Sequence, residues 1–295
     1  MSLPNFMCIG AAKSGTTSLY DILKQHSDVF LPSFKEPHFF DIPSVYQNGI
    51  EWYKKTYFQS VKNEKCIGDF TPSYLFDPQV PERIYKQLGK NIKFLVILRN
   101  PVDRAYSHYL HSLRDECEYL DFISVLKIEK ERLDKYAKES DYLSYLQHSY
   151  FHQGLYGEMV ERYLKFFPLK QFLFIHFEED LLRNKRQTII KILDFLEVDS
   201  KISSKIDFKS NPASKSRSKK LKKIMQKTGW WRVLLKTLIP SLKIRQIIKN
   251  KLQRLNNRKF TPKSIQKEIR VGIYKYYFSE DIKKLERIIC RKMNW

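Results

Sequence analysis

Two patterns of apolar and polar positions alternate along the first 200 residues. Three short runs are apolar on both faces, as buried strands of a parallel sheet are. They span residues 6–9, 92–98 and 172–177. Apolar residues at helical spacing follow from Thr17, from Val102 to about Leu113, and over 187–196. Strands that alternate with helices predict an α/β fold with a central parallel sheet flanked by helices.

The pattern changes in the last third of the chain. Residues 210–218 are rich in Ser with one Pro, which is typical of a loop. Residues 219–258 form basic amphipathic segments, and 261–295 predict two helices with a short link near 279–281. We expect one domain over 1–295, with an α/β core in 1–200 and a helical basic region in 201–295.

Composition excludes several classes of protein. With 42% hydrophobic residues in 295, disorder is excluded as the dominant state. No apolar run approaches the roughly 18–20 residues of a membrane-spanning helix, and the first residues lack the pattern of a secretory signal. The four Cys lie far apart in no metal-ligand spacing, which argues against a zinc finger or a disulfide scaffold. These features predict a reduced, cytoplasmic protein.

The net charge of +22 is concentrated in one region. Residues 201–295 hold 28 Lys and Arg against 5 Asp and Glu, whereas the first 200 residues are nearly neutral. Such a block suggests an anionic partner, although solvated Lys-rich helices explain it equally well. The segment 229–240, with two Trp among basic residues, fits a packed helix, a lid or peripheral contact with an acidic membrane surface. No nucleic-acid-binding module is recognisable, so we expect no nucleic acid partner.

A phosphate-binding loop is indicated between the first predicted strand and helix. Its small and hydroxyl residues let the backbone turn tightly and direct N–H groups toward an anion at a helix N-terminus. The segment reads Gly10-Ala-Ala-Lys13-Ser14-Gly15-Thr16-Thr17-Ser18. Lys13 precedes the second glycine, unlike the lysine of a Walker A loop, which disfavours a kinase or ATPase.

A second phosphate-directed segment follows the strand at 92–98. Arg99 at the strand end can bind a phosphate through two N–H groups, and Ser107 lies two turns into the next helix. Residues 13–18 resemble the 5′-phosphosulfate loop of sulfotransferases that use 3′-phosphoadenosine 5′-phosphosulfate (PAPS), and residues 98–107 resemble their 3′-phosphate segment. The resemblance implies a sulfotransferase fold in which PAPS is bound by Lys13, Ser14, Gly15, Thr16, Thr17, Ser18, Arg99 and Ser107.

A candidate general base lies in the segment 35–41, Lys-Glu-Pro-His-Phe-Phe-Asp. It resembles the corresponding segment of the heparan-sulfate-type branch, in which the Glu is the base. The resemblance therefore implies that Glu36 deprotonates the acceptor and that His38 orients the site or contacts substrate. His38 is the rival base, because the cytosolic small-molecule branch uses a His. Lys13 would stabilise charge on the leaving oxygen.

Two further segments resemble family elements. Residues 68–74 resemble a Glu-Lys-Thr-Pro-Ala-Tyr segment of glycan 3-O-sulfotransferases, with Phe70 in place of the Lys. We expect Asp69, Phe70 and Tyr74 to contact the acceptor, as we do Glu36 and His38. Alternatively, Asp69 holds Lys35. Residues 211–218 resemble the loop that closes over PAPS in bacterial members. Its predicted PAPS contacts are Lys215, Ser216 and Arg217.

The resemblance as a whole implies an enzyme. It would transfer the sulfuryl group of PAPS in one in-line step to a hydroxyl, or to an amino or carbamoyl nitrogen. The acceptor would be a small molecule, an oligosaccharide or a glycolipid, the nucleotide product would be adenosine 3′,5′-bisphosphate, and no metal would be required. The alternative is a non-catalytic protein that binds polyanions or a membrane surface through its basic region.

Overall fold

The computed structural model describes residues 2–200, 214–216, 257–259 and 265–295. The chain divides into two compact units. One unit comprises Met1–Ser210 together with Ile265–Trp295, and the other comprises Asn211–Ser264. The last 31 residues therefore belong to the same unit as the α/β core, although they follow it by more than 60 residues in the sequence.

A five-stranded sheet in which all strands are parallel organises the first unit. The strands lie in the order β2-β3-β1-β4-β5. Their bounds are β1 Phe6–Gly10, β2 Val29–Phe30, β3 Cys66–Phe70, β4 Lys93–Leu98 and β5 Phe172–His176. β1 and β4 are neighbours, so the segments that follow these two strands emerge side by side at one edge of the sheet.

Helices cover both faces of this sheet. The α-helices are α1 Thr16–Leu23, α2 Pro43–Tyr46, α3 Ile50–Tyr57, α4 Val80–Leu88, α5 Pro101–Arg114, α6 Phe122–Lys138, α7 Tyr142–His148, α8 Tyr156–Leu164, α9 Lys185–Leu196, α10 Lys267–Ile273 and α11 Ser279–Ile289. Short 3₁₀ helices span Pro72–Leu75, His152–Gly154 and Leu169–Gln171. Two π-helical turns span Phe177–Arg183 and Tyr274–Phe278. Among the described residues, no helix is both long enough and apolar enough to cross a membrane.

The strands are buried on both sides because their alternate side chains enter two separate cores. On one face Phe94, Val96 and Leu98 of β4 pack in a core that includes residues of α5, α8 and α11. On the other face Leu95 and Ile97 join apolar side chains of α1 and α9. Both faces of the sheet are buried, which explains why the strand sequences have no polar face. A parallel sheet was predicted from that feature.

The α/β fold with a parallel central sheet is confirmed, and three details of the prediction are corrected. The third run does not stay extended to 177, because β5 ends at His176 and Phe177 begins a π-helical turn. The link expected at 279–281 is the acidic first turn of α11, and the irregular turn lies just before it. The strands β2 and β3 were not predicted. β2 has only two residues, and β3 contains Gly and Asp, which are uncommon in strands.

Two short strands are described in the second unit. Ser214–Ser216 pairs antiparallel with Asn257–Lys259, so a strand lies inside the segment that was predicted to be a loop. The predicted amphipathic segments over 219–258, including the Trp-containing segment 229–240, lie outside the described residues as far as 256. Their last two residues, Asn257 and Arg258, belong to the second short strand and not to a helix. The prediction of one domain over the whole chain stays a prediction.

Candidate active site

The candidate site lies where β1 and β4 end. The loop after β1 is joined to β4 by the Ala11 N–H, which donates to the Ile97 carbonyl at 2.7 Å. Arg99 follows β4 directly and begins the connection to α5. An open parallel sheet binds ligands at the carboxyl ends of its strands, and both predicted phosphate segments lie at that edge.

The loop between β1 and α1 adopts a conformation that suits an anion at the helix N-terminus. Lys13 and Gly15 both lie in the left-handed region, with φ of 66° and 86°, and α1 begins at Thr16. A Cβ atom on Gly15 would lie 2.8 Å from Cε2 of Phe177, so glycine is required both by its φ and by the space available. The sequence predicted the loop but gave no indication of its contact with Phe177.

Lys13 and Ser14 are polar residues of this loop in a largely dehydrated setting. The pKa of Lys13 is lowered from its ordinary 10.5 to about 8, chiefly by burial and also by the nearby Arg114 charge, while the Glu36 charge opposes the shift. The Ser14 side chain is fully buried, and its Oγ has no hydrogen-bond partner within the described parts of the chain. A buried donor of this kind is suited to an oxyanion.

Arg99 connects the two predicted phosphate segments. Its Nη1 donates to the Lys13 carbonyl at 2.9 Å, and its guanidinium lies over the Phe177 ring, 5.0 Å from the centroid. Its Nε is buried and lacks a hydrogen-bond partner in the part of the chain that the structure describes. The Arg99 carbonyl in turn accepts from the Tyr156 hydroxyl at 3.0 Å. Arg99 is thus fixed beside the loop while part of its donor capacity is unused.

The start of α5 is held in place by Asn100. The Asn100 Oδ1 accepts from the Val102 and Asp103 N–H groups at 3.0 and 3.2 Å, and its own N–H donates to Glu178 at 3.1 Å. The capping residue was not singled out from the sequence, although Asn before Pro101 is a recognisable helix start. Ser107 is partly exposed two turns further along this helix.

Glu36 lies at the edge of the site with a partly exposed carboxylate. Its backbone is left-handed, with φ of 64°, and its N–H donates to the Phe70 carbonyl at 3.1 Å. The carboxylate is 2.5 Å from Lys35 Nζ and 3.8 Å from His38 Nε2. Lys35 Nζ also lies 3.4 Å from the Thr16 hydroxyl, so Glu36 is linked to the start of α1. Lys35 is therefore held by Glu36 and Thr16. The alternative prediction had Asp69 in this role.

His38 is oriented by a buried carboxylate. Its Nδ1 lies 2.9 Å from Oδ2 of Asp41, which is only 1% exposed and also accepts from the Ser73 hydroxyl at 2.5 Å. Burial lowers the pKa of His38, but the hydrogen bond to Asp41 and its charge outweigh that effect, so the pKa is raised. With Nδ1 occupied by Asp41, Nε2 faces Glu36. The sequence analysis assigned no role to Asp41 or Ser73.

The three residues of the segment 68–74 that were predicted to contact the acceptor are buried. Asp69 accepts from the hydroxyls of Tyr53, Thr71 and Tyr74 at 2.6, 2.6 and 3.2 Å, and burial raises its pKa to about 6. Phe70 is on the opposite face of β3, where its ring packs edge-on against Phe6 and Tyr20.

This placement argues against the predicted acceptor contacts of Asp69, Phe70 and Tyr74. All three side chains are almost fully buried, at 0%, 1% and 0% exposure. Tyr74 instead supports the segment that follows His38, since its hydroxyl accepts from the Phe39 and Phe40 N–H groups at 3.0 and 3.3 Å. Tyr74 and the Phe70 carbonyl thus support the backbone of the segment that carries Glu36 and His38.

The remaining predicted PAPS contacts belong to the second unit. Lys215 and Ser216 lie on the short strand of the second unit, and Arg217 is outside the described residues. Their predicted roles stay predictions. Within the ranges 2–200 and 265–295, no group of three or more His, Cys, Asp and Glu is arranged to hold a metal ion.

Comparison with known proteins identifies the family. A sulfotransferase domain model matches residues 3–293. The chain belongs to the sulfotransferase family, whose members are transferase enzymes. A sulfotransferase from Alicyclobacillus acidocaldarius has a similar structure, with a TM-score of 0.71 and 28% identity, and the match covers 99% of this chain and 98% of that one. The expected sulfotransferase fold is confirmed.

Curated sulfotransferases are similar over part of their length. Heparan sulfate glucosamine 3-O-sulfotransferase 5 of Mus musculus is 36% identical over 174 residues, which are 58% of this chain and 46% of that protein. The membrane-associated sulfotransferase kil1 of Dictyostelium discoideum is 43% identical over 116 residues, or 39% of this chain and 24% of that protein. The chain thus spans less than half the length of these relatives.

Proposed function

We propose that this sulfotransferase transfers the sulfuryl group of PAPS to a hydroxyl, or to an amino or carbamoyl nitrogen, of a small-molecule, oligosaccharide or glycolipid acceptor. The observation that carries the proposal is the hydrogen bond from Arg99 to the Lys13 carbonyl at 2.9 Å. It joins two phosphate-directed segments at one sheet edge. PAPS, when bound, would supply the activated sulfuryl group, and its phosphate groups would be bound by these two segments.

The donors at the site fit a nucleotide that carries phosphate groups at two positions. The loop of residues 13–18 would hold the 5′-phosphosulfate through its N–H groups and hydroxyls. Arg99 and Ser107 would hold the 3′-phosphate. Two of these donors, Ser14 Oγ and Arg99 Nε, are buried without a hydrogen-bond partner among the described residues, and phosphate oxygens would satisfy them.

Glu36 is our candidate for the group that removes the acceptor proton. It is the partly exposed carboxylate beside Lys35 and His38, so it can meet an acceptor from solvent. His38, fixed by Asp41, would orient Glu36 and the acceptor, and it remains the rival base. Lys13, when protonated, would stabilise the negative charge that develops on the leaving oxygen.

The acceptor class and the cellular location are further parts of the proposal. The relatives named for glucosamine 3-O-sulfation favour a saccharide hydroxyl, whereas the buried Phe70 supplies no charge for an anionic glycan. A reducing cytoplasmic location is proposed from the sequence, in which the four cysteines lie far apart and form no disulfide framework. Peripheral contact with an acidic membrane surface, suggested by the basic third and by the description of kil1, is also a proposal.

Calorimetric titration with adenosine 3′,5′-bisphosphate tests the nucleotide site. We expect the wild-type protein to bind this nucleotide more tightly than ADP, which lacks the 3′-phosphate. Arg99→Ala should weaken its binding by at least about tenfold, because a charge-assisted phosphate contact is lost. Arg287→Ala, which alters an exposed arginine of α11 that bonds within its own helix, is the matched control and should bind normally.

The remaining outcomes separate the two functions. Labelled sulfate passed from PAPS to any acceptor in a panel of saccharides, phenols and amines would support the enzyme. Equal affinity for ADP and the 3′-phosphorylated nucleotide would contradict the proposed site. Binding to heparin or acidic liposomes, with no transfer to any acceptor, would favour the non-catalytic alternative.

A further inference from the structure

An acidic residue lies within the segment proposed to bind the 3′-phosphate. Asp103 is in the first turn of α5, four residues after Arg99 and four residues before Ser107. Helical residues four apart share a face, with Cβ atoms about 5–6 Å apart, so Asp103 and Ser107 lie on the same face of α5. An unpaired carboxylate here would repel a phosphate and would compete with it for the Arg99 and Ser107 donors.

Asp103 is paired with an arginine from a distant part of the chain. Arg270 of α10 donates from Nε to Oδ1 at 3.0 Å and from Nη2 to Oδ2 at 2.9 Å, which is a bidentate contact. The hydrogen bond to Asp103 raises the pKa of Arg270, so its charge is fixed at any working pH. The pair spans 167 residues of sequence, and nothing in the local pattern around Arg270 indicates it.

The exposure of the pair points to an electrostatic role. The two side chains are 35% and 33% exposed, and ion pairs this exposed contribute little to the stability of the fold. The affinity of Arg99 and Ser107 for an anion would, however, depend on whether the Asp103 charge is neutralised. The bidentate geometry also fixes the direction of the Asp103 carboxylate, which a single point charge would not do.

We propose that Arg270 is a positioning residue of the nucleotide site: it neutralises Asp103 and holds it away from the donors that bind the 3′-phosphate. This inference rests on the proposed function, because it assumes that Arg99 and Ser107 bind that phosphate. Arg270 acts through Asp103 and makes no contact with the nucleotide in this scheme. α10 thereby contributes to the site from outside the α/β core sequence.

A double-mutant cycle tests the inference. Adenosine 3′,5′-bisphosphate and ADP are titrated into the wild-type protein, Arg270→Gln, Asp103→Asn and the double variant. Arg270→Gln should weaken binding of the 3′-phosphorylated nucleotide by about three- to tenfold, because it exposes the Asp103 charge. Binding of ADP should change by less than about twofold, since ADP carries no group at this position. The double variant should regain the affinity of Asp103→Asn.

Lys284→Gln removes another ion pair between elements of the same unit, with Glu161 at 3.1 Å, and should leave both affinities unchanged. A double variant as weak as Arg270→Gln alone, or Arg270→Gln with normal affinity, would overturn the inference and leave the proposed function standing. A wild-type protein with no preference for the 3′-phosphorylated nucleotide would overturn both. Recovery in the double variant also shows that the loss in Arg270→Gln is not a loss of folding.

Discussion

Lys13 shows at the residue scale how burial adjusts a charged group to its task. Its ammonium group lies in a loop from which water is partly excluded, and its pKa is lowered to about 8. The group is therefore charged near neutral pH but close to losing its proton. An anionic ligand beside it would favour the charged form and raise the pKa again.

We expect binding of adenosine 3′,5′-bisphosphate to be accompanied by proton uptake between about pH 8 and 10. One pH unit or more below that pKa Lys13 is almost fully charged in the free protein, so uptake should be small, whereas above about pH 8 affinity should fall. Calorimetry in buffers of different ionisation enthalpy measures the uptake. Lys13→Arg stays charged throughout and should abolish it. The same uptake in Lys13→Arg would show that another group is responsible.

Glu36 gives a second prediction at this scale. Glu36→Gln keeps the shape of the side chain but cannot take a proton, so sulfuryl transfer should fall by about a hundredfold or more. The affinity for adenosine 3′,5′-bisphosphate should stay within about twofold, because Glu36 does not belong to the phosphate-binding donors. Near-normal turnover in Glu36→Gln would make His38 the candidate base. His38→Asn measured alongside distinguishes the two assignments.

At the scale of single elements, the π-helical turn after β5 organises both phosphate segments. Its first residue, Phe177, lies under the Arg99 guanidinium and also fills the space that a side chain on Gly15 would need. Its second residue, Glu178, accepts from the Asn100 N–H at the start of α5 and from Trp295 Nε1. One turn of backbone therefore contacts both the loop after β1 and the segment that follows β4.

The turn before α8 is another element that depends on distant polar partners. Glu129 of α6 is 2% exposed and accepts from the N–H groups of Phe151 and His152 at 2.9 and 3.0 Å. The fully buried Arg104 of α5 donates to the neighbouring Tyr150 carbonyl. A fixed turn here places Tyr156, whose hydroxyl bonds the Arg99 carbonyl. Support for Arg99 thus extends to α6 and α8, which lie outside both predicted phosphate segments.

At the scale of the whole molecule, residues 265–295 complete the α/β unit. The Asp281 carboxylate of α11 accepts from the Gly157 and Glu158 N–H groups at 2.8 and 2.9 Å, and so caps α8 from a part of the chain more than 120 residues away. A Cβ on Gly157 would lie 2.5 Å from the Asp281 carbonyl, so the two helices approach closely at this point.

Asp281→Ala should lower the free energy of unfolding by about 1–2 kcal/mol, because two N–H groups at the start of α8 lose their acceptor. Urea unfolding at neutral pH measures this change. Glu280→Ala on the same helix removes a side chain that is 84% exposed and should change stability by less than about 0.5 kcal/mol. Equal effects of the two substitutions would contradict the capping role.

The sequence by itself determined the α/β class, the loop after β1 and the position of Arg99. These features depend on local patterns: apolar strands, small residues before a helix, and a basic residue at a strand end. β3 was missed because Gly and Asp are uncommon in strands, and Asp69 is accommodated there by hydrogen bonds from Tyr53 and Tyr74 to its buried carboxylate. The sequence also does not indicate that the Phe70 and Tyr74 side chains are buried, and their predicted acceptor contacts stay predictions.

Only the packing of the elements shows which side chains support the site. Asp41 orients His38, Phe177 supports Arg99, and Arg270 pairs with Asp103. Arg270 and Phe177 are separated from their partners by 78 or more residues, and such pairs leave no periodic signal in a single sequence. Local spacing fixes which elements form and where ligand-binding groups begin, whereas the packing of those elements fixes the charge, burial and direction of each group.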